Sequence, residues 1–176
     1  MTSPLTIDAA APTPKRLHAD LLAFLSRGLS IHVGACNRAG EPQVVRALAL
    51  RMEADNRLSL LLSTPASDGL IAAVREVPVV AITACQPSTH RAVQVKGRGV
   101  ELSVADAAQW PDRLAFKHRF LAEIEPYGYD EAFADSWLDV PPEQWRVITF
   151  TPTGAWSQTP GPGAGQAIPL HEEPAP

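Results

Sequence analysis

Apolar residues fall in short runs separated by turn residues, and their spacing switches between helical and strand periods along the chain. Leu17, Leu21, Leu22 and Leu25 lie on one side of a helix with Gly28 at its stop, which predicts a helix over Leu17–Arg27. Leu29–Asn37 reads as a strand, Arg38–Glu41 as a turn with Gly40 free to take positive φ, and Pro42 as the start of the hairpin partner. Two apolar runs, Val44–Met52 and Leu58–Ser63, flank the turn pair Asp55-Asn56. A helix should open at Ser67, whose hydroxyl can accept a first-turn amide, and bury Leu70, Ile71 and Val74 before Pro78. Two more β-rich runs follow, Pro78–Cys85 and Arg91–Leu102; in the second, Val93 and Val95 oppose Gln94, Lys96 and Arg98. Gly97 and Gly99 mark a bulge or tight bend.

The C-terminal half turns helical. Ser103 and Asp106 fit a capping box, and Pro111 restarts a helix with Phe116, Phe120 and Ile124 as its core stripe. Arg113, Lys117, His118 and Arg119 then read as its solvated face. Glu131–Leu138 is a last helical piece, Gln144–Thr151 the closing strand, and Trp156 ends a short final one. Residues 1–14 and 160–176 are rich in Pro, Gly and small residues and read as flexible tails around one domain over 15–159. Trimming before Pro14 and after Gly165 is therefore expected to leave the melting temperature within about a degree or two. Many short strands in hairpin order with helices inserted late imply a mainly β protein, an antiparallel barrel plus helices.

Arg46 interrupts this pattern. Alternation puts Val44, Arg46, Leu48 and Leu50 on one face, where a guanidinium is costly unless it meets an anion or the face is wet. An edge position or a carboxylate partner explains it structurally; an anion site explains it functionally, because the planar fork suits phosphate. His32 has no assigned role. The continuous apolar run Leu58–Ser63, with Val93 and Val95, offers more apolar surface than a small barrel leaves exposed, which implies a homodimer.

With 176 residues, 45% hydrophobic and 19% charged, the chain suits one soluble domain, and a net charge of −4 argues against a nucleic-acid surface. No run reaches the roughly 18 apolar residues of a membrane helix, and the N-terminus lacks a charged start followed by an apolar stretch. Cys36 and Cys85 have no metal-ligand spacing and read as buried thiols in a reducing compartment, so the expected location is cytoplasmic.

Three motifs, in order and at close to the right spacing, resemble the pyridoxamine 5'-phosphate oxidase-like FMN-binding split barrels. They are Arg46-Ala-Leu-Ala-Leu-Arg51, Leu61-Leu-Ser63-Thr64 followed by Ser67, and Arg91-Ala-Val-Gln94-Val-Lys-Gly97. The resemblance implies an antiparallel split β-barrel that dimerises, with FMN in clefts between subunits. It casts Arg46 as the phosphate-contacting arginine, with Ala47 and Arg51 on the same strand and Leu48 as a backbone contact to the flavin ring. Ser63 and Thr64 match the loop beside the ribityl chain and phosphate, and Ser67 a position near the phosphate. Ala92 stands where the oxidase has a ring-contacting glutamine, which Gln94 could replace from the same face. Asp68-Gly69 departs from the oxidase's Arg-Lys pair, and its Arg-x-His substrate signature is absent from Gln158–Gly161, so pyridoxamine phosphate oxidation is not expected. The expected function is an FMN-dependent oxidoreductase of unknown substrate. The alternatives are a deazaflavin-dependent reductase and a non-catalytic flavin- or haem-binding redox protein. No metal site and no catalytic side chain is assigned.

Overall fold

The computed structural model describes residues 15–105 and 110–172. The expected N-terminal tail and the helix start at Asp106 lie outside them. The chain runs β1 (Lys15–Arg16), α1 (Ala19–Leu25), β2 (Ser30–Cys36), β3 (Pro42–Arg46), β4 (Ala49–Met52), β5 (Leu58–Ser63) and α2 (Asp68–Glu76). It continues with β6 (Val79–Cys85), β7 (Ala92–Val104), α3 (Asp112–Ile124), α4 (Glu131–Leu138), β8 (Trp145–Ser157), β9 (Ala167–Ile168) and β10 (His171–Glu172).

One antiparallel sheet in the order β3-β2-β6-β7-β8-β5-β4 forms the body. Its two edges meet. The Ala47 amide donates to the Ile31 carbonyl of β2 at 2.9 Å, and the next amide, Leu48, donates to the Leu61 carbonyl of β5 at 2.7 Å. Consecutive residues thus bond to strands from the two sides of the sheet path, and the sheet curls toward a barrel at this seam. The strand expected over Val44–Met52 is divided by this switch: β3 pairs with β2 and β4 with β5. The alternation breaks with it. Val44 is 66% exposed and Arg46 half-buried, whereas Ala47, Leu48 and Ala49 are all buried.

Local chemistry follows the expected pattern elsewhere. Asn56 takes a left-handed φ of 65° in the β4–β5 turn, and Gly40 a φ of 81° in the β2–β3 turn. In β7, Val93 and Val95 point into the core while Gln94 and Lys96 point out, and the register shifts at Lys96/Gly97 and again between Arg98 and Glu101. Gly97 has no room for a side chain, because an added Cβ would lie 2.0 Å from the ring of the fully buried Phe150. β7 runs on through Ser103 and Val104, so the capping box drawn on Ser103 is part of a strand.

The core fills the barrel and extends under the helices. Leu58, Leu60, Leu61 and Leu62 are fully buried within the single chain, as is Val95, and Val93 is nearly so. The apolar surface that implied a homodimer is therefore covered by the chain's own elements. Phe116, Phe120 and Ile124 form the buried stripe of α3. Its Arg113–Lys117 side is not solvated, because α4 covers it: Lys117 is buried between Asp135 and Glu131, and Arg113 donates to the Leu138 carbonyl at 2.6 Å. His118 and Arg119 do face solvent. The end of α3 is pinned through Glu123, which accepts from Gln86 Nε2 at 2.8 Å and from the Ser88 amide at 3.2 Å. Cys36 is exposed rather than buried, and Cys85 is half-buried with its thiol pKa raised by burial. No described helix is long and apolar enough to cross a membrane.

The C-terminal segment is a further correction. Instead of a tail from residue 160, β9 pairs with β8 and β10 with β1, and the His18 and His171 rings lie 3.7 Å apart, tilted at 53°. Backbone pairing and partial burial of Ile168 and Leu170 hold this segment despite its composition.

Two stability outcomes follow. Ending the chain at Gly165 removes β9, β10 and about 1 kcal/mol of burial from each of Ile168 and Leu170. The melting temperature should fall by about 4–8 °C, read by circular dichroism; an unchanged midpoint would show that the segment does not pack. Gly97→Ala should cost roughly 1–3 kcal/mol in urea denaturation, because the Phe150 ring must move. A neutral substitution would contradict the close approach.

Candidate functional site

Strand register assembles a row of side chains on the outer face of the barrel. Arg46 of β3 lies opposite His32 of β2, His32 opposite Thr83 of β6, Thr83 opposite Gln94 of β7, and Gln94 opposite Trp156 of β8. Directly opposed residues share a face, so all five project outward side by side. Three inter-strand steps separate Arg46 from Gln94, about 14 Å at a spacing of ~4.8 Å. Two residues singled out in the sequence, Arg46 and Gln94, are thereby placed on one surface, with His32, Thr83 and Trp156 added to it.

Arg46 is the electrostatic centre of the row. Its guanidinium stacks over the Trp137 ring of α4, 4.3 Å from the centroid, and lies 5.6 Å from the Phe120 ring of α3. Among the described residues it has no carboxylate partner and no hydrogen bond. Burial lowers its pKa, although a guanidinium stays protonated. Stacking uses the face of the guanidinium and leaves its in-plane N–H donors for an acceptor.

His32 senses this charge. Partial burial first, and the adjacent Arg46 second, lower its pKa from the ordinary 6.5. The neutral ring is favoured in the fold, so its contribution to stability is complete above 6.5 and is lost as pH falls through the lower native value. At the far end of the row, Trp156 carries the Lys96 ammonium 4.8 Å over its ring and packs across Gly154.

The other residues expected at the site are placed differently. Ala47 and Leu48 are buried, and their amides close the barrel, so the Leu48 N–H is engaged with Leu61. Arg51 stacks on Trp110 at 4.6 Å and pairs with Glu53 at 2.9 Å. Ala92 is buried beside the row; its amide donates to Thr159 Oγ1 at 3.0 Å, and its carbonyl accepts from Gln158 at 2.8 Å. Ser63 accepts the Ser67 amide through its carbonyl, and Thr64 donates to the Gln144 carbonyl through both its amide and its hydroxyl.

Ser67 sits at the start of α2 but does not cap it. Its backbone angles, φ −95° and ψ 1°, differ from the extended conformation of a capping serine. Its hydroxyl is fully buried with no hydrogen-bond partner among the described residues. The first-turn position beside it carries Asp68.

Sequence reasoning assigned no role to His32 and did not pick out Thr83 or Trp137. Alternation along each strand shows which residues share a face, but the juxtaposition of Arg46 with His32 depends on register between strands, and that of Arg46 with Trp137 on helix packing. Trp156 was read only as the end of a short final strand, whereas β8 runs unbroken through it from the expected closing strand.

No protein-family model matches the chain, and no curated protein matches it. Solved structures do. The HupZ protein of group A Streptococcus superposes with a TM-score of 0.52 at 10% identity, over 85% of this chain and 100% of that one. A Lactobacillus delbrueckii protein, described as a candidate pyridoxamine 5'-phosphate oxidase, superposes at 0.50 with 14% identity, over 81% and 98%. A pyridoxamine 5'-phosphate oxidase-related, FMN-binding protein of Nostoc punctiforme gives 0.48 at 17% identity, over 88% of each chain. At these identities the likeness is one of fold, and it agrees with the closed seam and strand order: the chain has the split β-barrel fold of the pyridoxamine 5'-phosphate oxidase-like proteins.

Proposed function

We propose that the chain is a flavin-binding oxidoreductase that holds FMN against the outer row, with the flavin phosphate at Arg46. The observation that carries this reading is Arg46 itself, a half-buried cation without an acidic partner among the described residues, in register with Gln94 and Trp156. A desolvated, unpaired guanidinium gains most from an anion, and a phosphate can accept two parallel N–H bonds from its fork. The fold shared with a protein described as a candidate pyridoxamine 5'-phosphate oxidase supports the same reading.

The donor set fits a phosphate at Arg46 and not at the start of α2. There Asp68 adds a negative charge, and the Asp68 amide already bonds to the Pro65 carbonyl at 3.0 Å. When bound, the flavin supplies hydride or electron chemistry. The chain's own part is to bind and orient it: Arg46 holds the anionic end, Gln94 offers an amide to polar ring atoms, and Trp156 gives an aromatic surface at the far side. The substrate is unassigned. Val44, exposed beside the row, and the open outer face make a second copy of the chain the proposed cover of this cofactor site.

Absorbance of the purified protein, with mass spectrometry of what it releases on denaturation, identifies the cofactor; a flavin spectrum and FMN mass are expected. Arg46→Ala should weaken FMN binding about ten- to a hundredfold, the size of a charge-assisted hydrogen bond, and leave riboflavin little affected. Arg46→Lys, which keeps charge without the fork, should fall between. Equal losses for FMN and riboflavin in fluorescence-quenching titrations would assign Arg46 to structure and remove the phosphate site.

A further inference from the structure

The turn at Thr64-Pro65, α2 and the neighbouring ends of β7 and β8 enclose a separate cleft of about 710 Å³. None of Arg46, His32, Thr83, Gln94 and Trp156 lines it; of the residues expected from the sequence at the cofactor, Thr64 does. Its volume falls in the range of small-molecule sites, roughly 300–1,000 Å³.

Three charged side chains line this cleft: Asp68 and Arg75 from α2, and Arg146 from the start of β8. Asp68 and Arg75 are two helical turns apart and so share a face of α2. Among the described residues none of the three forms an ion pair, not even with one another. Arg146 is nonetheless held in place. Its Nη1 donates to the Trp145 carbonyl at 2.6 Å and to the Glu143 carbonyl at 3.2 Å, while Nε and Nη2 have no partner among the described residues. An arginine anchored through one nitrogen with the rest of its fork unused is set up to receive a planar or tetrahedral oxyanion. Leu102 and Val104 add apolar wall, with Val104 71% exposed.

We propose that this cleft is a second ligand site, for a small organic anion whose carboxylate or phosphate head lies on Arg75 and Arg146 and whose apolar body lies on Leu102 and Val104. The two arginines and Asp68 give the cleft one net positive charge. Asp68 disfavours heavily charged ligands, so the class is a single-headed acid or monoester rather than a polyphosphate. The site shares no residue with the outer row proposed for the flavin and stands whether or not that row takes a flavin.

The test is isothermal titration of the full chain with benzoate and with phenyl phosphate, phenol serving as the neutral counterpart. Saturable binding of at least one anion, weakening as salt rises, and none of phenol is expected. The double substitution Arg75→Ala, Arg146→Ala should weaken binding about ten- to a hundredfold. Asp68→Asn should strengthen it about two- to fivefold, an effect that loss of packing would not produce. Arg46→Ala, which removes any anion held at the outer row, should keep a saturable anion site, and the double variant should keep its far-ultraviolet spectrum and its FMN affinity. Absence of binding by the unmodified protein, equal affinity in the double variant, or loss of binding in Arg46→Ala would each overturn the proposal. So would loss of FMN binding by a folded double variant, which would make the cleft part of the cofactor site.

Discussion

Two consecutive peptide groups hold this fold closed. The Ala47 amide reaches β2 and the Leu48 amide reaches β5, the strands next to the two ends of one sheet path. A chain can do this only by bending sharply, and only where both residues are small or apolar enough to be buried at the seam. Everything around the outer face follows. Arg46, one residue before the seam, is left on the outside of β3 beside His32, while Arg51, beyond it, is carried to the opposite edge against Trp110.

This closure explains what could be read from the chain and what could not. Alternation in β7 separated Val93 and Val95 from Gln94 and Lys96, and turn chemistry at Gly40 and Asn56 marked the β2–β3 and β4–β5 turns. The Val44–Met52 run read as one strand because alternation is local, whereas the switch of partners at Ala47 and Leu48 depends on two distant strands. The apolar run Leu58–Ser63 implied a homodimer, but Leu58, Leu60, Leu61 and Leu62 are covered by the chain itself. The segment after residue 160 was misread from composition, since Pro and Gly content says nothing of a backbone that finds ladder partners in β8 and β1. Of the site, the arginine and its oddity were legible. Its neighbours were not, because register is a property of pairs of strands.

The aromatic cover over Arg46 makes its lack of a carboxylate chemically informative. Trp137 and Phe120 remove water from one face of the guanidinium and supply only the weaker compensation of a ring quadrupole. His32, next to it, brings no negative charge, and its lowered pKa shows that it is held away from becoming a second cation. The Lys117, Arg57 and Arg51 cations all have carboxylates close by. Arg46 has none among the described residues, and this is the opening that the proposed phosphate would fill.

His32 reports directly on that central claim. Its titratable or charged neighbours on the shared face are Arg46 of β3 and the half-buried Cys85 thiol of β6; Thr83 and Gly34 are neutral. A phosphate on Arg46 would offset the guanidinium charge that depresses the imidazole and would itself favour the imidazolium. The measurement is the His32 pKa by NMR titration of the ring protons, in free protein, with FMN and with riboflavin. The account predicts a value below 6.5 in free protein that rises on adding FMN and stays low with riboflavin. A His32 pKa that FMN leaves unchanged, or that riboflavin raises equally, would contradict the placement of the cofactor phosphate at Arg46.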